Sequence, residues 1–463
     1  MDGIRCGLTG SSVEELRAAV ASIRPALSDK ALIDQLRGLE ELKSAIAGLQ
    51  ARVAVAFDRS RRRAQAATGV PVSEQGQDVG AQVALARRES PNRGARLLRL
   101  AKALVSEMPR TMAALESGQL NEWRATLLVK ETAGLSVEDR SAVDEELAAD
   151  TGTFEGKGDR AIIAAAKAAA YRRDPRSVAQ RASHAAAERT VNLRPAPDAM
   201  TYLTALLPAA QGVAAYAALT RTADSARSVG DSRTRGQVMA DTLVERLTGK
   251  RGGISRVEVQ LVMTDRTLLQ GDSEPARLKG YGIVPSEWAR TLVGTGDEFT
   301  VWLRRLYAAP GTGELLTMDS KARIFPPRLR RFIEIRDDTC RTPYCDAPIR
   351  HIDHIIPWRS GGTTTADNGA GLCEACNHTK ENPGWTAEML PGDGRSLEVS
   401  TPTGHKHQSK APRLPGHVRV RNAPRNMVQE VTTGGAQSRR DRRRLHKRAK
   451  ALKFARRAGT LAA

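Results

Sequence analysis

Residues 350–357 (RHIDHIIP) and residues 372–380 (LCEACNHTK) decide the fold of the C-terminal part of this 463-residue chain. The isoleucines of the first stretch predict a short strand, which Pro357 ends because proline cannot donate to a strand ladder. The glycines at 361–362 then permit a tight turn, and the second stretch begins a helix after its first cysteine. The predicted order is therefore strand, turn, second strand or loop, and helix.

Four of the five cysteines lie in the same region as two close pairs, Cys340 with Cys345 and Cys373 with Cys376. In a reducing compartment such paired spacing is typical of a metal site rather than of a disulfide framework. Four thiolates complete the tetrahedral coordination of Zn²⁺ with no open position, which indicates a structural site. The alternative interpretation is four unrelated free thiols. Cys6 has no partner by spacing.

The motif residues of this region resemble those of the HNH endonucleases, which have the ββα-metal fold. The resemblance covers about residues 330–390. It is specific because an Asp-His pair, an Asn in the following loop and a distal Asn or His occur in this order inside a four-cysteine frame; these residues are Asp353, His354, Asn368, Asn377 and His378.

The resemblance implies a role for each of these residues. His354 is the residue that activates water, and Asp353 binds a divalent cation. Asn368 holds the loop that orients the base. The last motif position is usually a metal-binding His; it is Asn377 here, and the adjacent His378 is the alternative ligand.

The chemistry of phosphodiester hydrolysis explains why such residues are needed. A positioned base accelerates the reaction by about 10²–10⁴, and a hard cation neutralises charge at the phosphorus and the leaving oxygen. The oxygen ligands of Asp353 and Asn377 suit Mg²⁺ or Mn²⁺ better than Zn²⁺, so we expect two metals with different roles. Asp353 and His354 point to opposite faces of an ideal strand. Their joint action requires the strand to twist or to end there, which the nearby Pro357 allows.

Three neighbouring side chains have alternative interpretations. His351 forms an H-x-x-H pattern with His354, and we interpret it as a support or substrate contact rather than as a ligand or base. Trp385 is interpreted as packing for the last helix of the module rather than as a platform for base stacking. Lys380 either contacts phosphate or caps a helix end.

The wider chain is similar to actinobacterial proteins that join a helical domain of unknown function to a C-terminal HNH domain. The stretches that carry this similarity are residues 303–306 (LRRL), 341–345 (RTPYC) and 383–385 (PGW). We expect a mainly α body with a few strands (α+β), a small zinc-stapled ββα-metal module, and a basic, largely disordered tail. Their expected bounds are residues 1–320, 321–395 and 396–463.

Hydrophobic periodicity predicts the elements of the body. Helices are expected at residues 29–63, 81–107, 111–118, 121–134, 137–149, 160–185, 209–227 and 232–248. Residues 190–207 are expected to be extended, and strand patterns occur at residues 257–263 and 300–307. Residues 1–320 show no metal-ligand spacing, phosphate loop or nucleophile motif, so the body gives no indication of chemistry.

The helix expected at residues 29–63 carries a heptad repeat. Leu32, Leu39, Ile46 and Val53 recur every seven residues. A coiled-coil homodimer through this helix is one interpretation. The other, which the pattern favours, is an amphipathic helix packed in its own domain.

Positive charge is concentrated at the C-terminus. The chain has 72 Lys and Arg against 52 Asp and Glu, a net charge of +20, and residues 405–463 alone contribute 17 basic and 2 acidic residues, a net of +15. Such a block is typical of nucleic-acid binding, although a solvated tail is the alternative. Residues 439–457 can form a basic helix that we expect to fold on phosphate. The residues predicted to bind nucleic acid are Arg439, Arg440, Arg442, Arg443, Arg444, Lys447 and Arg448.

The overall composition excludes some classes of protein. Apolar residues make up 40% and charged residues 27% of the chain, which is ordinary for a globular protein. No apolar run approaches the roughly 18 residues that span a bilayer, and the first ten residues show no hydrophobic signal region. We therefore expect no membrane partner and a cytoplasmic location, associated with the nucleoid when the protein binds DNA.

These observations predict a metal-dependent endonuclease that hydrolyses phosphodiester bonds in DNA, with RNA as a further possible substrate. One alternative is a zinc-stabilised nucleic-acid-binding protein with a weak or inactive nuclease site. Another is a self-associating scaffold dominated by the helical body. Cleavage with Mg²⁺ or Mn²⁺ distinguishes the first two functions, and light scattering tests the third.

Overall fold

The structure, a computed structural model, describes residues 10–150, 152–249, 259–294, 324–391 and 396–415. These residues form a mainly helical body with few strands, followed by a small module that contains the four-cysteine cluster, as predicted. None of the helices in the described part of the chain is long and apolar enough to cross a membrane.

The longest helix of the body packs inside its own domain. After α1 (Gly10–Ser22), α2 covers Asp29–Ala67 and begins where the Ser28 hydroxyl accepts a hydrogen bond from the Ala31 N–H. Its buried face consists of Ser44, Ala47, Gly48, Ala51, Val55 and Asp58. Val53 of the expected heptad seam is 59% exposed. The structure thus agrees with the amphipathic interpretation, and a homodimer through residues 29–63 is not supported.

Shorter helices complete the first part of the body. They are α3 (Val79–Arg87), α4 (Pro91–Ser106), α5 (Pro109–Glu116), α6 (Glu122–Glu131), α7 (Val137–Ala148), α8 (Asp159–Arg173) and α9 (Pro175–Ala185). Their largest fully buried side chains include Leu104, Leu115, Leu128 and Ile162.

Two helices expected to be continuous are each divided by a proline. The helix predicted at residues 81–107 is interrupted after Arg87, because Arg88 is left-handed with φ 56°, and a new helix begins at Pro91. The helix predicted at residues 160–185 is divided in the same way before Pro175. Proline lacks the N–H that an interior position requires but fits the first turn, so each proline starts a new helix.

The second part of the body contains two small antiparallel sheets. Strands β1 (Thr190–Ala196) and β2 (Met200–Leu206) form a hairpin within the segment expected to be extended. Helices α10 (Ala209–Ser228) and α11 (Arg235–Thr248) follow it. A three-stranded sheet then contains β3 (Leu261–Val262), β4 (Ala276–Leu278) and β5 (Gly282–Val284), with α12 (Asp265–Leu269) and α13 (Ser286–Gly294) beside it in the chain. The strand predicted at residues 300–307 lies outside the described residues.

The C-terminal module combines a strand pair, a short helix and a second sheet. Its elements are α14 (Pro327–Asp337), β6 (His351–His354), β7 (Gly369–Leu372), α15 (Glu374–Thr379), β8 (Thr386–Met389), β9 (Ser396–Ser400) and β10 (Lys406–Lys410). Strand β9 pairs with both β8 and β10. Residues 396–400 and 406–410 therefore form strands of a sheet, whereas the sequence placed them in the basic, largely disordered tail.

The module shares its apolar core with helix α3 of the body. Leu85 of α3 is buried in one cluster with Ile355, Trp385 and Val399. Trp385 thus packs in a core, although the cluster places it against α3 and strand residues rather than against the last helix of the module, which the sequence suggested. The Thr403 hydroxyl also donates to Gln82 Oε1 of α3 at 3.0 Å. These contacts make α3 an integral part of the module.

Strand β4 of the body also contacts the module, at the end of α14. The Arg277 guanidinium donates to the Ile335 carbonyl, and Lys279 Nζ lies 2.8 Å from Glu334 Oε2. Positive groups are favourable at a helix C-terminus because the last carbonyls carry partial negative charge. Burial lowers the pKa of Arg277.

Candidate active site and metal centre

The motif residues lie on the ββα arrangement of β6, β7 and α15. Strand β6 pairs antiparallel with β7 so that Asp353 lies opposite Ala370 and His354 opposite Gly369. Helix α15 follows β7 directly and packs against β6. The observed order of strand, loop, strand and helix is the predicted one.

His354 is a buried side chain at the end of its strand. It is 7% exposed, and its Nε2 lies 3.0 Å from the Thr364 hydroxyl. The ring contacts two aromatic side chains at tilted angles: Phe325, with centroids 4.5 Å apart, and Trp358, with centroids 5.9 Å apart. These aromatic contacts and the hydrogen bond to Thr364 orient the imidazole.

Asp353 lies beside His354 although neighbouring strand residues alternate between faces. The Asp353 Oδ1 accepts the His354 backbone N–H at 2.8 Å and lies 4.0 Å from His354 Nδ1. Strand β6 ends at His354. The alternation of side chains between the two faces of the strand therefore stops at this residue, as the combined action of Asp353 and His354 requires.

The carboxylate of Asp353 is bound to an ammonium group. Lys380 Nζ lies 2.6 Å from Asp353 Oδ2 and donates to the His354 carbonyl at 2.8 Å. Sequence reasoning offered phosphate contact or helix capping for Lys380 and missed this ion pair. Residues 353 and 380 are far apart in sequence, so no local pattern indicates the contact.

Asn368 fastens the loop that follows β6. Its Oδ1 accepts the Ile356 N–H at 2.8 Å, and its Nδ2 donates to the carbonyls of Ile356 at 3.1 Å and Thr363 at 2.8 Å. A Cβ atom at Gly362 would lie 1.9 Å from the Ile356 oxygen. Glycine is therefore required at position 362, where the backbone passes close to the Ile356 carbonyl. The Asn368 side chain binds the N–H and the carbonyl of Ile356, as the backbone of a neighbouring strand would.

The two alternative residues at the last motif position have different surroundings. Asn377 Oδ1 is buried and has no hydrogen-bond partner in the described part of the chain. A buried unpaired amide oxygen costs about 1–3 kcal/mol, and a cation can satisfy it. His378 is exposed. The partly exposed Asp353 carboxylate and the unpaired Asn377 oxygen are hard donors that fit Mg²⁺ or Mn²⁺. His351, the other histidine of this strand, is exposed.

The four cysteines form one compact cluster. All four are buried and free of disulfides, and their sulfur atoms lie within 4.8 Å of one another. The Sγ atoms of Cys345 and Cys373 are 3.8 Å apart. Tetrahedral coordination with Zn–S bonds of about 2.3 Å places sulfurs about 3.8 Å apart. The cluster therefore fits a zinc ion.

The protonation of these thiols is mutually dependent. Hydrogen bonding with Cys345 lowers the pKa of Cys340 to about 7. Hydrogen bonding with Cys340 lowers the pKa of Cys373 and raises the pKa of both Cys345 and Cys376. The thiolate forms of Cys340 and Cys373 are thus stabilised by hydrogen bonds from neighbouring thiols that keep their protons. A cation at the centre removes this constraint because it stabilises all four thiolates.

A buried ion pair that sequence reasoning did not single out supports strand β7. Asp337 Oδ2 accepts the Gly371 N–H at 2.8 Å, and Arg336 Nε lies 2.7 Å from Asp337 Oδ1. The same guanidinium donates to the carbonyls of Ala366 and Gly369, both at 2.6 Å. This network fixes the segment on both sides of Asn368.

The nucleic-acid-binding residues predicted in the tail, from Arg439 to Arg448, lie outside the described residues. The tail therefore remains a sequence-based prediction.

Comparisons with known families agree with this geometry. A family model described as "Domain of unknown function (DUF222)" matches residues 37–337, and one described as "HNH endonuclease" matches residues 340–383. The first match covers 301 of the 463 residues. No curated protein and no solved structure matches the chain.

Proposed function

Because the chain belongs to the DUF222 family and carries an HNH endonuclease domain after it, we propose that it is a metal-dependent endonuclease that hydrolyses phosphodiester bonds in DNA. The observation that supports this most directly is the placement of His354, a fixed imidazole, beside the Asp353 carboxylate. The family match supports a nuclease; the substrate, the metals and the residue roles are our proposal.

In this proposal His354 is the general base. His354 Nε2 lies 3.0 Å from the Thr364 hydroxyl, and Nδ1 lies 4.0 Å from Asp353 Oδ1. This role requires the tautomer in which Nε2 carries the proton and Nδ1 is the basic nitrogen. Nδ1 takes a proton from water as the water oxygen bonds to phosphorus. The bond from phosphorus to the leaving sugar oxygen breaks, and that oxygen is protonated from solvent. Asn368 keeps the loop, and hence the ring, in place.

Asp353 and Asn377 are the residues that would hold a divalent cation, Mg²⁺ or Mn²⁺. When bound, the cation would neutralise charge on the phosphate and the leaving oxygen. Cys340, Cys345, Cys373 and Cys376 would hold structural Zn²⁺ away from this chemistry, because four thiolates leave zinc no open position. The basic tail would supply affinity for the phosphate backbone.

The test is nicking of supercoiled plasmid by the purified full-length protein with Mg²⁺, Mn²⁺ or EDTA, and with single-stranded RNA in parallel. We expect His354→Ala to lower the initial rate at least about 10²-fold without weakening DNA binding. His184→Ala, at an exposed position of α9 in the body, is the control and should retain the rate. DNA binding without nicking by the wild type would favour the zinc-stabilised binding protein instead.

A further inference from the structure

The ammonium of Lys380 is held in one place by several acceptors. Besides Asp353 Oδ2 at 2.6 Å and the His354 carbonyl at 2.8 Å, Glu381 Oε1 lies 3.5 Å from Nζ. Only 19% of the Lys380 side chain is exposed. A lysine at a helix end ordinarily extends into solvent, so this placement indicates a specific interaction with the site.

The position of this ammonium conflicts with that of a divalent cation. Asp353 Oδ1 accepts the His354 N–H and Oδ2 binds the Lys380 ammonium, so a metal that binds Oδ2 would take the place of the ammonium. A bound Mg²⁺ lies about 2.0–2.1 Å from its carboxylate oxygen. Two positive charges that share one oxygen at such distances repel strongly in a partly buried site. Lys380 and the metal therefore compete for Asp353.

We propose that Lys380 is the resident cation of the metal site. Before the divalent cation binds, Lys380 neutralises Asp353 and keeps its carboxylate in position; when the cation binds, the ammonium leaves Asp353 Oδ2. This inference rests on the proposed function because it takes Asp353 as a metal ligand. The released ammonium stays beside the site on a flexible four-carbon stem, where the nearest anion in a complex with DNA is the phosphate.

Calorimetric titration with Mn²⁺ tests the competition without any cleavage. The titration uses the full-length, zinc-loaded protein in the absence of nucleic acid. We expect Lys380→Met and Lys380→Gln to bind Mn²⁺ about tenfold more tightly than the wild type, because the competing charge is gone. Lys380→Arg keeps the charge and should bind Mn²⁺ with nearly wild-type affinity.

A purely structural lysine gives the opposite result. If Lys380 only orients Asp353, its removal loosens the carboxylate, and both neutral variants bind Mn²⁺ as weakly as the wild type or more weakly; this outcome would overturn the proposal. Zinc content and melting temperature confirm that each variant is folded, and the glutamine variant keeps a donor for the His354 carbonyl.

Asp353→Asn distinguishes failure of this inference from failure of the proposed function. We expect this variant to lose the Mn²⁺ binding that Lys380→Met strengthens. If Asp353→Asn binds Mn²⁺ normally, Asp353 is not a ligand and the proposed metal site is wrong. If Asp353→Asn loses binding while the neutral Lys380 variants gain none, the metal site stands and the competition alone is refuted.

Discussion

Asn368 pairs with both backbone groups of Ile356, accepting from its N–H at 2.8 Å and donating to its carbonyl at 3.1 Å. The side chain thus acts as one residue of a neighbouring strand, at a point where the pairing of β6 and β7 has already stopped. It fixes the loop immediately after His354.

Replacing Asn368 tests this function of the side chain. Asn368→Asp keeps an acceptor for the Ile356 N–H but places a carboxylate oxygen against two carbonyls. We expect the free energy of unfolding to fall by about 1–3 kcal/mol, measured by urea denaturation, with a parallel loss of cleavage. Asn192→Asp, on an exposed position of β1, is the control and should change neither quantity. Full cleavage by Asn368→Asp would show that the loop does not need this clamp.

The two candidates for the second metal ligand are distinguished by separate substitutions. Asn377 has the buried, unpaired oxygen and His378 is exposed, so we expect Asn377→Ala to raise the Mn²⁺ concentration needed for half-maximal cleavage about tenfold or more. His378→Ala should leave this concentration nearly unchanged. The reverse ranking would assign the ligand to His378.

The four-cysteine cluster predicts one Zn²⁺ per chain, measured by elemental analysis of dialysed protein. Cys345→Ser should release zinc and unfold the module, because binding of structural zinc contributes of order 10 kcal/mol to folding. Cys6→Ser is the matched substitution outside the cluster and should keep both zinc and fold. A folded, active wild-type sample without zinc would refute the structural site.

Local patterns were sufficient to predict the strand, turn and helix that carry the HNH-like residues, whereas the roles of those residues came from the resemblance to the family. The strand at His351–His354, the glycine turn and the helix after Cys373 depend on neighbouring residues, and the cysteine spacing alone indicated the cluster. The sequence prediction did not divide the helices before Pro91 and Pro175, because hydrophobic periodicity continues through both prolines. A stricter treatment of proline would have found them.

Contacts between distant segments could not be predicted from one sequence. The pairing of Lys380 with Asp353 joins residues from the end of a helix and from a strand. The packing of Leu85 against Trp385 joins segments about 300 residues apart. Each depends on tertiary geometry, which periodicity and spacing do not contain.

The basic tail is tested by the salt dependence of DNA binding. Because β10 extends to Lys410 and Ser409 contacts Arg341, the deletion should begin at residue 416. That segment carries 14 Lys and Arg against 2 acidic residues. If the full chain neutralises about six phosphates, log K should fall with log salt at a slope near −5. The truncated protein should show a flatter slope but the same preference among sequences.

Because Leu85 of helix α3 lies in the apolar core of the C-terminal module, we expect the stability of that module to depend on the body. Leu85→Asp places a charge in the cluster with Ile355 and Trp385, so we expect the melting temperature to fall by several degrees and cleavage to fall with it. Val72→Asp, at an exposed position, is the control. Normal cleavage and stability of Leu85→Asp would show that α3 is dispensable to the module.

The core that contains Leu85 also contains Leu397 and Val399 from β9, which pairs with β10. The residues that resemble the HNH motif all precede residue 381. A ribosome that stalls between residues 380 and 396 would therefore release a chain with every motif residue present and this core unfinished. Such a chain would lack Leu397 and Val399, so Ile355, the residue directly after His354, would lose part of the packing that the complete module provides.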